Sequence, residues 1–217
     1  MPLQDELDRF RADFESKVPA DALRIMHRST ASLISSRQAE SALQVGDRAP
    51  SFDLPDPTGQ QHASARLLAA GPLVVTFYRG VWCPYCNLEL QALERARTEI
   101  EARGATLVAV SEQTAIQSRK SQRDNQLHFP ILRDHGGDLA DAFGIRWTLA
   151  GELKALYEQF GVDLPSINGE PSWTLPMPAR YVIAQDGRIA YAEVNPDYTR
   201  RPEPSDVLPA LDRLLRP

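Results

Sequence analysis

Apolar residues near the start of the chain recur every three or four positions, which is the spacing of one face of a helix. A first stripe covers residues 3–18 and a second covers residues 22–34, with Pro19 between them. The stripes consist of Leu3, Leu7, Phe10, Phe14 and Val18, and of Ala22, Ile25, Met26, Ser29, Leu33 and Ile34. The pattern predicts a helical arm over residues 1–45 that packs on the rest of the chain or forms a homodimer contact. No motif within it suggests a site.

Proline and glycine interrupt residues 46–72, where the apolar pieces are short. The segment DPTG at 56–59 has the composition of a turn, with proline in its second place and glycine in its fourth. We predict a small hairpin or an extended loop, followed by a short helix near residues 64–70 that Gly71 and Pro72 end.

The spacing changes at residues 73–78, where LVVTFY is an almost uninterrupted apolar, β-branched run. Such a run is typical of a strand that is buried on both faces. Residues 87–103 return to helical spacing, and residues 106–110 form another buried-strand run. The apolar face of this helix consists of Leu90, Leu93, Ala96 and Ile100. A strand, a helix and a strand joined in this way predict a right-handed parallel βαβ unit.

The alternation continues to the end of the chain. The predicted elements are a helix at 112–124, a strand at 129–132, helices near 138–143 and 151–160, strands at 180–184 and 189–194 joined by a turn at 185–187, and a helix at 205–215. The last two strands read as an antiparallel hairpin. Parallel strands with such a hairpin predict an α/β thioredoxin-like sandwich with a mixed central sheet over residues 46–217.

The composition of the chain argues against a disordered, a nucleic-acid-binding and a membrane-spanning protein. The 217 residues are 42% hydrophobic and carry 24 Lys and Arg against 29 Asp and Glu, which indicates a globular chain with a core rather than a disordered one. A net charge of −5 gives no electrostatic footprint for nucleic acid. No apolar run approaches the ~18 residues of a membrane span, and the first residues lack a signal peptide pattern. We therefore expect a cytoplasmic protein without a membrane or nucleic-acid partner.

The only two cysteines, Cys83 and Cys86, lie between the first predicted strand and its helix. Backbone N–H groups at a helix N-terminus are unpaired and favour a thiolate, so the cysteine pKa falls there. At an ordinary pKa near 8.5 only about 3% of a thiol is ionised at neutral pH, whereas a pKa near 6 would make it about 90%. The spacing also lets the sulfurs form a disulfide, and the pattern predicts a redox-active dithiol.

Two other interpretations of the cysteines remain open. They could be inert core thiols, with Trp82 and Tyr85 shielding the sulfurs. A structural zinc site would need two more ligands, and the four histidines show no paired spacing.

Residues 77–90, FYRGVWCPYCNLEL, resemble the active-site segment of the AhpC/TSA peroxiredoxin-like family, in the branch that carries a CxxC. Further matching pieces are VGDRAPSFDL at 45–54, FPILRD at 129–134, AFG at 142–144 and PARYVI at 178–183. The resemblance implies a peroxiredoxin-type fold and a thiol oxidoreductase that needs no cofactor or metal.

The chain departs from that family at its motif. Typical members carry Pro-x-x-x-Thr-x-x-Cys, and the alignment puts Arg79 at the proline, Cys83 at the threonine and Cys86 at the peroxidatic cysteine. The family arginine that polarises the peroxide is replaced by Pro178, which resembles the cis-proline that faces the CxxC of thioredoxins. Arg180 shares a strand face with position 178. It could supply the missing cation, or it could be a solvated strand residue.

The two patterns assign opposite roles to the sulfurs. In the thioredoxin pattern Cys83 is the exposed nucleophile and Cys86 resolves it, and in the peroxiredoxin pattern the roles are exchanged. Position at the helix start favours Cys83. The segment at 195–204 also resembles this branch, so Tyr198 and Arg200 could reach the site, although local charge pairing in a proline-fixed loop is the favoured interpretation.

The resemblance implies reduction of hydrogen peroxide or organic hydroperoxides, with thioredoxin or a similar dithiol as the reductant. A protein disulfide reductase without peroxidase activity is the alternative. A third hypothesis is a non-enzymatic redox sensor that uses the disulfide as a switch.

Overall fold

A mixed five-stranded sheet lies at the centre of the computed structural model, which describes residues 1–215. The strands are β1 (Asp53–Pro55), β2 (Gln61–Ala63), β3 (Leu73–Phe77), β4 (Thr106–Ser111), β5 (Ile131–Arg133), β6 (Arg146–Thr148), β7 (Thr174–Pro176), β8 (Ala179–Ile183) and β9 (Ile189–Val194). The helices are α1 (Leu3–Lys17), α2 (Ala20–Ser35), α3 (Ser64–Ala70), α4 (Pro84–Glu101), α5 (Ala115–Asp124), α6 (Asp138–Ala142), α7 (Gly151–Gln159), α8 (Leu164–Asn168) and α9 (Leu208–Leu214). Residues 216–217, at the end of the predicted domain, lie outside the described residues.

The strand order in the central sheet is β5-β4-β3-β8-β9. β3 pairs with β4 in parallel and with β8 antiparallel, and β8 pairs with β9 antiparallel. All five residues of β3 are buried, because strands flank it on both edges and apolar clusters cover both faces. The mixed sheet and its parallel βαβ unit are therefore confirmed.

The helical arm packs on its own chain. Leu3 and Leu7 of α1 enter the core beside Leu90 and Leu93 of α4, and Met26 of α2 packs with Leu153 of α7. The second stripe is not buried along its whole length, since Ile34 is 50% exposed. The boundary at residue 45 stays a prediction.

Several short elements differ from the expectation. β6 and β7 form a separate antiparallel pair, and α8 lies between them in sequence, in regions where no element was predicted. The predicted strand at 129–132 begins later, at Ile131, and α5 begins at Ala115 rather than 112. The last predicted helix consists of a 3-10 turn, Pro204–Val207, followed by α9. Among residues 1–215, no helix is long and apolar enough to cross a membrane.

Candidate active site

Cys83 is the N-cap residue of α4, directly after the loop that follows β3. Its backbone is extended, with φ −94° and ψ 108°, and Pro84 occupies the first turn of the helix, where its missing N–H costs nothing. The Cys83 N–H donates to the carbonyl of Gly80 at 3.1 Å, which closes the turn before the helix. The helix thus begins earlier than predicted, and both cysteines belong to its start.

Neither sulfur is exposed. Cys83 is 2% exposed and Cys86 is fully buried. The expectation of an exposed nucleophile is therefore wrong. Cys83 nevertheless borders a cavity of about 350 Å³, whereas Cys86 lies behind it in the core.

The two thiols have opposite pKa shifts. Burial by itself would raise the pKa of Cys83, but the hydrogen bond from the Cys86 thiol, the charges of Arg79 and Arg201, and the backbone N–H of Cys86 lower it to about 6. Burial raises the pKa of Cys86 well above its usual value, and the hydrogen bond and charge of Cys83 raise it further. The pair therefore consists of a thiolate at Cys83 and a protonated thiol at Cys86 at neutral pH.

Arg79 supplies one of the two nearby cations. Its guanidinium donates to the Tyr157 hydroxyl, and its Cζ lies 4.4 Å from the ring centroid of Tyr198 and 4.8 Å from that of Trp82. Desolvated cation–π contacts of this kind hold a guanidinium in place without neutralising it. Trp82 in turn meets the Tyr157 ring edge to face at 5.5 Å. Arg79 and Trp82 thus lie beside the cysteines.

Arg180 does not reach a sulfur. Its side chain is fully buried, donates to Glu89 Oε1 at 2.8 Å and donates to the carbonyls of Pro202 and Glu203 at 3.2 and 2.9 Å. It is therefore neither the cation at the thiols nor a solvated strand residue. The second cation is Arg201, whose Nε is hydrogen-bonded to Glu89 and whose Nη2 lies 3.4 Å from Cys86 Sγ.

The peptide bond before Pro178 is trans, so the likeness to a thioredoxin cis-proline is not found. Pro178 instead lines a small void behind the site, together with Arg79 and Tyr157. Tyr198 does reach the site, contrary to the favoured interpretation. Arg200 does not, because it points to the surface and pairs with Asp8 at 3.7 Å.

Sequence reasoning missed Glu89, Arg201, Tyr157 and the cavity wall that α1 and α2 supply. Glu89 carried a signal, because a carboxylate three residues after Cys86 lies on the same buried face of α4. Arg201 follows Arg200 in the loop at 195–204, and tertiary packing decides which of the two side chains turns inward. Within residues 1–215 there is no group of three or more His, Cys, Asp or Glu side chains placed to hold a metal ion.

The chain is similar in sequence and in fold to known proteins. The model described as the AhpC/TSA family matches residues 45–192. Rv1608c, a peroxiredoxin-type protein of Mycobacterium tuberculosis, is 30% identical over 111 residues, which are 51% of this chain and 72% of Rv1608c. ResA of Bacillus cereus, a thiol-disulfide oxidoreductase, is 20% identical over 151 residues, or 69% of either chain. The crystal structure of peroxidoxin BcpB from Mycobacterium tuberculosis superposes with a TM-score of 0.60 at 23% identity, covering 79% of this chain and 96% of BcpB.

These likenesses confirm the peroxiredoxin-type α/β fold. Thiol-dependent oxidoreductases use a thiolate and a neighbouring thiol, which this chain has in one helical turn. The chain is an enzyme of that class. It belongs to the AhpC/TSA family, whose model matches residues 45–192 and does not match the first 44 residues.

Proposed function

We propose that the enzyme is a thiol peroxidase that reduces hydrogen peroxide or organic hydroperoxides and is regenerated by thioredoxin or a similar dithiol. The observation that carries the proposal is the thiolate of Cys83, which borders a cavity and has the Cys86 thiol within hydrogen-bond reach. The peroxiredoxin names of Rv1608c and related proteins support the same substrate class.

In the first step the Cys83 thiolate attacks one oxygen of the peroxide. The S–O bond forms as the O–O bond breaks, the electron pair leaves with the other oxygen, and that oxygen takes a proton from water. The sulfur is oxidised to sulfenic acid and the peroxide is reduced to water or an alcohol. Arg79 stabilises the negative charge that develops on the leaving oxygen, because its guanidinium lies close to Cys83.

In the second step the Cys86 sulfur attacks the sulfenic acid, a disulfide forms and water leaves. The charge of the Cys83 thiolate, which raises the pKa of Cys86, has then disappeared. The Arg201 guanidinium remains 3.4 Å from the Cys86 sulfur and favours its thiolate. Oxidation of Cys83 thus activates the resolving cysteine.

An external dithiol then reduces the disulfide by exchange through a mixed disulfide. A reductant of this kind belongs to a reducing compartment, so a cytoplasmic location is part of the proposal. A homodimer stays a prediction.

The test measures peroxide consumption with thioredoxin, thioredoxin reductase and NADPH, using the wild type, Cys83→Ser and Cys86→Ser. We expect turnover in the wild type only, and a trapped sulfenic acid at Cys83 in Cys86→Ser. A rate no higher than that of free cysteine would remove the peroxidase proposal. A sulfenic acid trapped only at Cys86, in Cys83→Ser, would reverse the two roles.

A protein disulfide reductase is the second candidate, and the similarity to ResA favours it. Attack by the first cysteine of the pair is also the thioredoxin pattern. Reduction of insulin disulfides by the reduced enzyme separates the two candidates, since a reductase would turn over insulin and leave peroxide unused.

A further inference from the structure

The helical arm forms one wall of the cavity above Cys83. Apolar side chains of the arm face this cavity, and the segment after α7 supplies apolar side chains on another side. The arm residues are Phe10, Phe14, Val18 and Met26, and the others are Phe160 and Val162. The arm lies outside residues 45–192, which the family model matches.

Two side chains that line the cavity beside Cys83 contain buried hydrogen-bond donors. Arg79 Nε and Trp82 Nε1 are both buried and have no hydrogen-bond partner within residues 1–215. Both residues line the cavity together with Cys83. Neither donor atom is open to the cavity, so the groups that fix the reacting oxygen atoms there are the Cys83 thiolate and the positive charge of Arg79 beside it.

The remainder of the lining is uncharged. Among the described residues that border the cavity, Arg79 is the only Lys, Arg, Asp or Glu, and the Cys83 thiolate faces it. A molecule in the cavity therefore places oxygen beside Cys83 and Arg79 and an uncharged apolar group along the arm.

The volume agrees with such a molecule. A hydrogen peroxide molecule occupies roughly 60 Å³, taken as about twice the share of one water in the liquid. The cavity measures about 350 Å³, at the lower end of the range for small-molecule sites. Hydrogen peroxide would leave most of the apolar wall without contact.

We propose that the arm makes the enzyme selective for hydroperoxides with an apolar tail over hydrogen peroxide, and that Phe14 and Val18 are specificity-determining residues. The inference rests on the proposed peroxidase function. The reaction is unchanged: the Cys83 sulfur gains the terminal hydroxyl oxygen, the O–O bond breaks, and the tail leaves as an alcohol after taking a proton from water. Contact between the apolar tail and the arm lowers the KM for these hydroperoxides.

The test compares kcat/KM for cumene hydroperoxide and for hydrogen peroxide in the wild type and in Phe14→Ala/Val18→Ala. Each buried methylene contributes about fourfold to binding. If the tail loses contact equivalent to between one and two methylenes, kcat/KM for cumene hydroperoxide should fall about tenfold, mainly through a higher KM. The rate with hydrogen peroxide should change by less than about twofold. Ile34→Ala, a half-exposed apolar position of α2 that does not border the cavity, is the matched control and should leave both rates unchanged.

A second measurement does not need turnover. The product alcohol, 2-phenyl-2-propanol, should slow the alkylation of Cys83 by iodoacetamide in the wild type and not in the double variant. An equal loss of both peroxidase rates, or an unchanged ratio with no protection by the alcohol, would overturn the inference while the peroxidase function stands. If insulin reduction alone responds to the double variant, the cavity binds polypeptide and the inference is wrong. If the wild type consumes neither peroxide, the proposed function itself fails.

Discussion

Arg201 Nη2 lies 3.4 Å from Cys86 Sγ, while Nε of the same guanidinium is hydrogen-bonded to Glu89. The arginine is thus fixed by a buried carboxylate on one side and faces a sulfur on the other. Its other Nη donates to the carbonyls of Tyr198 and Arg200, at 2.7 Å each. The cation is therefore held at the resolving thiol before any reaction begins.

Replacing Arg201 with methionine should slow disulfide formation more than the first oxidation. The variant removes the cation that favours the Cys86 thiolate, and one unit of pKa corresponds to about a tenfold change in thiolate. We expect sulfenic acid at Cys83 to accumulate after a pulse of peroxide, measured by chemical trapping and mass spectrometry. Arg200→Met, at the neighbouring surface position, should behave as the wild type. Slower oxidation without trapped sulfenic acid would contradict this role.

The reactivity of Cys83 should follow a titration with a midpoint at about pH 6, because its pKa is lowered to about 6. The thiolate is the reactive form, so alkylation by iodoacetamide is fast above that pH and falls as the pH drops through it. Arg79→Met should move the midpoint upward by about one unit, since an opposite charge has been removed. Arg66→Met, at an exposed position, should not move it. A wild-type midpoint near 8.5 would exclude a stabilised thiolate.

Glu89→Gln should destabilise the fold strongly. Glu89 is buried between Arg180 and Arg201, and the change leaves two buried guanidinium groups without a counter-charge. Removal of one partner from a buried ion pair costs about 3–5 kcal/mol. The free energy of unfolding, measured with urea, should fall by that amount. Glu99→Gln, on the exposed side of α4, should change the free energy of unfolding by less than about 0.5 kcal/mol. An equally small effect of Glu89→Gln would show that the ion pairs of Glu89 with Arg180 and Arg201 do not stabilise the fold.

The long buried elements were predictable from sequence because their spacing repeats several times. β3 and α4 each show an unambiguous pattern, and the CxxC at the start of α4 indicates the site. β6 and β7 were missed because three-residue strands are too short to show alternation, and they pair across more than 20 residues of sequence. Their pairing depends on the tertiary fold, which brings the two segments together.

The partners of the cysteines were harder to predict than the cysteines. The position of Arg180 on its strand is compatible with a cation at the thiols and with a solvated residue, and the sequence does not decide between them. The structure places Glu89 beside it, and Arg201, 115 residues from Cys86, reaches the sulfur instead. Contacts at such separations leave no periodic signal. The contribution of Phe14 and Val18 to the cavity was hidden for a different reason, because residues on one helical stripe look the same whether they face the core or a cavity.

Stability should depend on pH through Glu112, a buried carboxyl outside the site. Burial raises its pKa to about 8, although Thr174 Oγ1 donates to Oε2 at 3.2 Å. The unfolded carboxyl has a pKa near 4.3, so between about pH 4 and pH 8 the folded state holds a proton that the unfolded state has released. The contribution of Glu112 to the free energy of unfolding is therefore fully present below the pKa of the unfolded carboxyl. It is lost as the pH rises toward the folded pKa, by at most about 1.4 kcal/mol per pH unit.

Glu112→Gln removes this titration because an amide keeps its protons throughout the range. The unfolding free energy of the variant, measured with urea at about pH 5 and about pH 8, should fall less with pH than that of the wild type. Glu99→Gln is again the control, and its pH dependence should match the wild type because that side chain is exposed. Parallel pH profiles for Glu112→Gln and the wild type would mean that Glu112 is ionised in the folded protein, and that the buried carboxylate has a source of stabilisation other than Thr174.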